Sequence, residues 1–227
     1  MNSVLIRAED VLRRRRWPTE SAEPWVAVRR LVGLIALFGM LYGAVMGSFG
    51  GLAGDRLWQV VFAAVKVPML LLVTFSICLP SFFVLNTIFG LRRDFIEAVR
   101  ALIAAQAGMA ILLGSLAPLT AFWYAGSDSY DAALRFNLAA FAVATFGAQL
   151  LLRGYYQPLV RRNERQRWML WLWMVIYGFV GVQMAWVLRP FVGSANTPVS
   201  FFREEAWGNA YVVVLELLGQ MFSKFFT

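Results

Sequence analysis

The stretch 31–50, LVGLIALFGMLYGAVMGSFG, decides the fold class of this chain. It contains no charged side chain, and about 20 apolar residues in helical form cross a hydrocarbon core about 30 Å thick. The stretch is also too long for the apolar part of a signal peptide. We therefore predict that residues 31–50 form the first membrane-spanning helix.

Four further apolar stretches predict four more spans, over residues 67–90, 99–124, 132–152 and 168–188. Of the 227 residues, 60% are apolar and 15% are charged, whereas an ordinary soluble domain has about a quarter of its residues charged. We predict an all-α, polytopic transmembrane helical bundle of about five spans in residues 31–188, with amphipathic interfacial helices at both ends.

The basic segment 1–30 is predicted to begin with an amphipathic helix. Its apolar face contains Val4, Leu5, Ala8, Val11 and Leu12, and a basic run follows, made of Arg13, Arg14, Arg15 and Arg16. Two interpretations stay open. The segment anchors on anionic lipid headgroups of the cytoplasmic leaflet, or it is a solvated tail whose arginines only fix the topology.

Residues 55–66 are predicted to form a separate short surface helix ahead of the second span. Trp58, Val61, Phe62 and Val65 would be its apolar stripe, with Asp55, Gln59 and Lys66 pointing away. Within the second span, Pro80 removes a backbone donor and predicts a kink.

A glycine every four residues marks the first span and the residue after it: Gly39, Gly43, Gly47 and Gly51. Glycines on one helix face let another backbone approach closely, which is how helices gain van der Waals contact in lipid. This helix-packing face could join two subunits or two helices of one subunit.

Residues 189–227 are predicted to be an extracytoplasmic loop followed by an interfacial helix. A sixth span is the alternative for that helix, although it would bury Glu216 in lipid. The candidates for lipid or partner contact in the loop are Arg189, Phe201, Phe202 and Arg203. Their alternative role is to seat the loop on the bundle or in the membrane interface.

The distribution of basic residues predicts the orientation. With five spans, 15 of the 21 Lys and Arg residues lie on the side of the N-terminus: seven in residues 1–30, three between spans two and three, and five between spans four and five. By the positive-inside rule the N-terminus is then cytoplasmic and the C-terminus extracytoplasmic. The same placement explains the net charge of +8 as a membrane feature, so we do not expect nucleic-acid binding.

The residue types argue against an enzyme. The chain has no histidine, the commonest general base and metal ligand, and Cys78 is its single cysteine. No phosphate-binding or nucleophile motif is present, so we predict no catalytic residues, cofactor or metal. Hydrogen bonding between helices is the predicted role of the uncharged polar residues inside the spans, Asn86, Gln106, Asn137, Gln149 and Gln183.

The link between spans two and three, FGLRRDFIEAVR at residues 89–100, resembles the corresponding link in bacterial members of the Ypt-interacting-protein (Yip) family. Pro118 in span three is also similar to that family, and the resemblance extends over about residues 60–190. It implies five spans with a cytoplasmic N-terminus and an extracytoplasmic C-terminus, in a bacterial inner membrane. The eukaryotic branch of the family is linked to membrane trafficking and small GTPases.

Together these patterns predict a non-enzymatic scaffold, membrane-organising protein or accessory subunit that acts through helix packing and lipid contacts. Its expected partners are anionic membrane lipids and either a second copy of the chain or another membrane protein. An oligomeric channel or transporter is the alternative.

Overall fold

The computed structural model describes residues 2–14, 24–127, 129–193, 199–202 and 212. Within them the chain forms six α-helices, joined by short links that include 3₁₀ turns at Ser48–Gly50 and Arg92–Asp94. The helices are α1 Asn2–Leu12, α2 Pro24–Gly47, α3 Arg56–Ile88, α4 Phe95–Ala125, α5 Tyr130–Arg162 and α6 Arg165–Leu188.

Helices α2 to α6 are each long and apolar enough to cross a membrane. This is the construction of a multi-pass integral membrane protein, and the predicted all-α transmembrane bundle is confirmed. Successive crossings alternate in direction. One end of the bundle, here called the basic end, therefore holds α1 and the links 89–94 and 163–164. The opposite end holds residues 48–55, 126–127, 129, 189–193 and 199–202.

Helix α4 lies at the centre of the bundle. It packs between α2 and α5, while α3 lies on the far side of α2 and α6 packs on α3. Residues 101–111 of α4 are all buried, and most of them are alanine, leucine or isoleucine. Small residues on α5 meet this helix, because Ala140, Ala144 and Ala148 are buried on its inward face. The bundle is therefore built around a tightly packed apolar helix.

The amphipathic helix α1 seats one face on the bundle. Ala8 and Val11 are buried, and the Tyr155 hydroxyl of α5 donates a hydrogen bond of 2.6 Å to the carbonyl oxygen of Val11. Leu5 and Ile6 are exposed instead. Four residues of the predicted apolar face therefore pack on protein, namely Ala8, Val11 and the partly buried Val4 and Leu12, whereas Leu5 faces outward at the basic end.

Two predicted helix boundaries are wrong. Residues 55–66 are not a separate surface helix, because α3 runs without a break through 33 residues from Arg56. Similarly, the helix of the predicted span 132–152 does not end at residue 152, because α5 continues to Arg162 over its full 33 residues. A helix of this length spans about 50 Å, well beyond a core of about 30 Å, so both helices continue past the apolar stretch that marks the bilayer.

The predicted faces of residues 55–66 are also inverted. Lys66 and Gln59 are buried, at 0% and 3% exposure, while Trp58 and Val61 are exposed at 59% and 48%. The reason is that α2, residues 190–193 and Phe201 cover the side of α3 carrying the two polar residues. On that side, Lys66 and Gln59 donate hydrogen bonds to backbone carbonyl oxygens.

Helix α3 continues through both Pro68 and Pro80. Near the second proline, Thr74 and Cys78 are buried, whereas Ser76 and Ser81 are exposed. The Ser76 hydroxyl donates to the carbonyl of Leu72 at 2.8 Å. The hydroxyl groups of this region therefore do not line a single path. The predicted C-terminal interfacial helix, with Glu216, lies outside the described residues.

Candidate functional site

Three of the four predicted packing glycines lie between α2 and α3 of the same chain. A Cβ added at Gly43 would lie 2.9 Å from the Cα of Ala64, and one at Gly47 would lie 2.7 Å from the carbonyl oxygen of Gln59. At Gly39 the nearest atom, the nitrogen of Pro68, would be 3.2 Å away. These glycines let two backbones touch within one chain.

The fourth glycine, Gly51, does not belong to this face. Helix α2 ends at Gly47, and Gly51 follows the 3₁₀ turn with φ +105°, a conformation that favours glycine. No atom lies within 4 Å of the position that its Cβ would take. Its role is to reverse the chain towards α3.

A polar network connects three helices inside the bundle. The Tyr42 hydroxyl of α2 donates to Asn137 Oδ1 of α5 at 2.9 Å, and Asn137 Nδ2 donates to the Tyr124 hydroxyl of α4. Asn137 Nδ2 also reaches the carbonyl of Ala133 at 2.7 Å. One buried amide therefore joins α2, α4 and α5.

The remaining polar residues predicted inside the spans behave differently from one another. Gln106 accepts a hydrogen bond from the Tyr177 hydroxyl of α6 at 2.8 Å, which is an interhelical contact. Asn86 donates within its own helix to Phe82, and its Oδ1 has no partner among the described residues. Gln149 Oε1 likewise has none there. Only part of this set therefore ties helices together.

At the opposite end, residues 190–193 together with Phe201 form a cap over α3. Lys66 Nζ donates to the carbonyl oxygen of Pro190 at 2.8 Å and lies 4.9 Å from the ring centroid of Phe201. Gln59 Nε2 approaches the carbonyl of Phe191 at 3.4 Å. A buried ammonium group needs such oxygen and ring partners, because burying an unpaired charge is costly.

The loop residues singled out from sequence mostly contact their own bundle. The Phe201 ring lies 5.3 Å from that of Phe62, and the Arg189 guanidinium lies 3.1 Å from the centroid of the Trp186 ring. Phe202 is 41% exposed and stacks edge-on against Phe201. Arg203 lies outside the described residues. These contacts favour the seating of the loop on the bundle.

At the basic end, Asp94 of the link between α3 and α4 and Glu97 in the first turn of α4 meet the adjoining ends of α5 and α6. Arg162 lies 2.9 Å from Glu97 and 3.6 Å from Asp94. Gln166 donates to Asp94 at 3.2 Å and accepts from the Tyr156 hydroxyl at 2.9 Å. Partly exposed ion pairs contribute little individually, so this cluster serves to hold these helix ends together.

The predicted basic run at Arg13–Arg16 is only partly available to lipid. Arg13 forms an ion pair of 2.9 Å with Glu9. The Arg14 side chain lies against Gly154 of α5, where the absence of a side chain leaves room for it. Arg15 and Arg16 lie outside the described residues.

A partly open cavity of about 410 Å³ separates α1 from α2 at the basic end. Arg7 lines it from α1, and Arg29, Arg30, Gly33, Leu34 and Leu37 line it from α2. The three arginines are exposed, and none of them forms an ion pair or hydrogen bond within the described part of the chain. The cavity therefore combines unpaired cations with an apolar wall.

The predicted contact residues include neither these three arginines nor Lys66. The pattern that could have indicated the cavity is present in α2: Val26, Arg29, Arg30, Gly33, Leu34 and Leu37 recur at helical spacing and share one face. What the pattern lacks is the position of α1, because only tertiary packing brings Arg7 to this face.

Among the described residues, no group of three or more His, Cys, Asp or Glu is placed to hold a metal ion. Comparisons with protein-family models, curated protein sequences and solved structures found no match for this chain.

Proposed function

We propose that this membrane protein is a non-enzymatic scaffold or accessory subunit, which holds another membrane protein or a second copy of itself through helix packing. It would lie in a bacterial inner membrane, with the basic end in the cytoplasm. The positive-inside rule and the resemblance of residues 89–100 to Yip-family proteins support this placement.

The exposed surface of helix α6 is the main support for this proposal. Only 11% of its most apolar window is buried inside the protein, and the inward contacts come chiefly from Met169, Trp173 and Leu188. Four large apolar residues on the outward side of the helix are exposed: Trp168, Trp171, Val175 and Val182. Helices associate in lipid by van der Waals packing, so a span with so little packing of its own has a broad face left for a partner helix.

The interior of the bundle favours a scaffold over a pore. The buried segment of α4 is almost wholly apolar, and its one amide, Gln106, is bonded to Tyr177. The glycine face, which in an oligomer could line a channel, is occupied by contact between α2 and α3. A water-filled path would need polar residues facing a common axis.

Purification in mild detergent followed by mass measurement of the intact complex tests the proposal. We expect a particle heavier than one chain, containing a second copy or another membrane protein. Replacing Trp171, Val175 and Val182 together by alanine should reduce it to a single chain. The matched control replaces Leu138, Val143 and Phe146, which form an exposed face of α5, and should leave the complex intact.

Two results would contradict the scaffold. One is a wild-type protein that remains a single chain at every detergent and protein concentration. The other is ion or solute flux through liposomes containing only this protein, which would favour the channel or transporter.

A further inference from the structure

We propose that the cavity between α1 and α2 binds the headgroup of one anionic phospholipid, with Arg7, Arg29 and Arg30 holding its phosphate. The site rests on the proposed function, because it identifies one lipid through which the scaffold contacts its membrane. It differs from the basic run at Arg13–Arg16, which the sequence alone suggested.

The charge of the cavity points to an anion. Three arginine residues from two helices line one space of about 410 Å³, and no described carboxylate pairs with them. Like charges placed together repel unless an anion lies between them. Arginine is also the side chain best suited to phosphate, since its planar fork donates two parallel hydrogen bonds.

The residues of α2 that line the cavity change from basic to apolar along the helix, which favours a lipid over a soluble phosphate. Arg29 and Arg30 lie near the start of the helix, and Leu34 and Leu37 follow on the same face. From Arg30 to Leu37 the helix rises about 10 Å towards the middle of the membrane. A ligand that fits this wall has a phosphate at one end and an apolar chain at the other.

Gly33 provides the space between the two parts of the wall. It lies between the arginines and Leu37, it lines the cavity, and no atom lies within 4 Å of the position of an added Cβ. A side chain there would enter the cavity without striking the rest of the fold. On α1, Val4 closes the wall beside Arg7.

Mass spectrometry of the intact detergent-purified protein, with defined lipids added, provides the test. We expect phosphatidylglycerol to be retained as one molecule per chain, at least about 10-fold more tightly than phosphatidylcholine with the same acyl chains. Changing Arg7, Arg29 and Arg30 together to glutamine should weaken retention of phosphatidylglycerol by roughly 100-fold. Changing Arg93, Arg153 and Arg161, which are exposed at the same end, should leave it unchanged.

A steric variant separates the cavity from general surface charge. Gly33→Leu should block retention of phosphatidylglycerol although every arginine remains. Gly178→Leu is the matched control, because Gly178 in α6 also has no atom within 4 Å of an added Cβ and lines no part of the cavity. Equal thermal stability of the two variants would show that both are folded.

Several results would overturn the lipid site. They are equal retention of phosphatidylglycerol and phosphatidylcholine, undiminished retention in Gly33→Leu, or full displacement of the lipid by millimolar inorganic phosphate, which would indicate a soluble phosphate ligand. If the lipid is not retained but the heavier complex is intact, the lipid site is contradicted and the scaffold proposal is not. If the particle is a single chain that still retains phosphatidylglycerol, the scaffold proposal is contradicted and the lipid site is not.

Discussion

At the scale of single residues, buried polar groups set the specific contacts of this bundle. An apolar side chain gains little free energy when it moves from contact with lipid chains to contact with another helix. Hydrogen bonds between helices therefore help to distinguish one arrangement of the helices from another. Asn137 bonds to both Tyr42 and Tyr124, and Lys66 holds the carbonyl of Pro190. These few residues fix which helices lie together.

Replacing Asn137 by leucine should lower the free energy of unfolding by about 1–2 kcal/mol, because it removes bonds to two tyrosines and interhelical bonds contribute about 0.6–1.7 kcal/mol each. A double-mutant cycle with Tyr42→Phe should give a coupling of about 0.6 kcal/mol. Unfolding by sodium dodecyl sulfate, followed by tryptophan fluorescence, measures both. Gln149→Leu on the same helix is the control and should be nearly neutral, since its Oε1 bonds to no described residue.

Replacing Lys66 by methionine should loosen the cap formed by residues 190–193 and Phe201. The change keeps an apolar stem but leaves the Pro190 carbonyl only the longer hydrogen bond of 3.5 Å from Gln59, and the loss of one hydrogen bond costs about 0.5–1.5 kcal/mol. Hydrogen exchange of the amides at residues 191–193 should become faster. The lipid-facing control Val65→Met should not alter their exchange, and equal exchange in both variants would contradict the role given to Lys66.

At the scale of elements, close backbone contact and helix length govern the structure. Helices α2 and α3 approach through Gly39, Gly43 and Gly47, whereas α3 and α5 extend well past the apolar stretches that mark the membrane. The extensions provide surfaces for the cap at one end and for Arg162 at the other. In both α3 and α5, therefore, one part of the helix crosses the membrane and another part contacts neighbouring segments of the chain.

Gly43→Ala should destabilise the bundle by about 1–3 kcal/mol, because its methyl group would lie within 3 Å of the backbone at Ala64 and force α2 away from α3. Gly178→Ala meets open space, and alanine favours helix by up to about 1 kcal/mol, so that variant should be neutral or slightly more stable. Thermal unfolding in detergent measures both. Equal effects of the two substitutions would contradict a packing role for Gly43.

At the scale of the whole molecule, five crossings place the basic end and the opposite end on different sides of the membrane. The basic end carries the ion pairs of Arg162, together with the arginine-lined cavity. The opposite end carries the cap over Lys66. Any lipid bound in the cavity is therefore restricted to one leaflet.

Single-cysteine labelling in intact cells tests this orientation. In a chain with Cys78 replaced by alanine, a cysteine at Ser129 should react with a membrane-impermeant maleimide, because the positive-inside rule places that end outside. A cysteine at Glu164 should react only after the membrane is opened. Both positions are exposed, so labelling of both from outside, or of Glu164 alone, would reject five crossings in this orientation.

The pattern of residues along the chain predicts much of the fold but less of the candidate site. Apolar runs such as 31–50 predict spans, since the bilayer requires a continuous apolar surface, and the alanine face of α5 packs as its four-residue spacing indicates. The ends of α3 and α5 differ from the prediction at residues 55–66 and 153–162, because a change to polar residues marks the membrane surface and not the end of a helix. The sequence pattern does not predict the cavity, because Arg7 and Arg29 belong to different helices.

The amino-acid sequence by itself determined the membrane class, the number of spans and the residues able to pack closely, because those properties follow from runs and spacings along one helix. Tertiary structure decided which helix the glycines meet, that Lys66 is buried against Pro190 and Phe201, and that three arginines line one cavity. Such facts depend on distances between separate helices. In a bilayer, those distances are set by the summed packing and hydrogen bonds of the whole bundle.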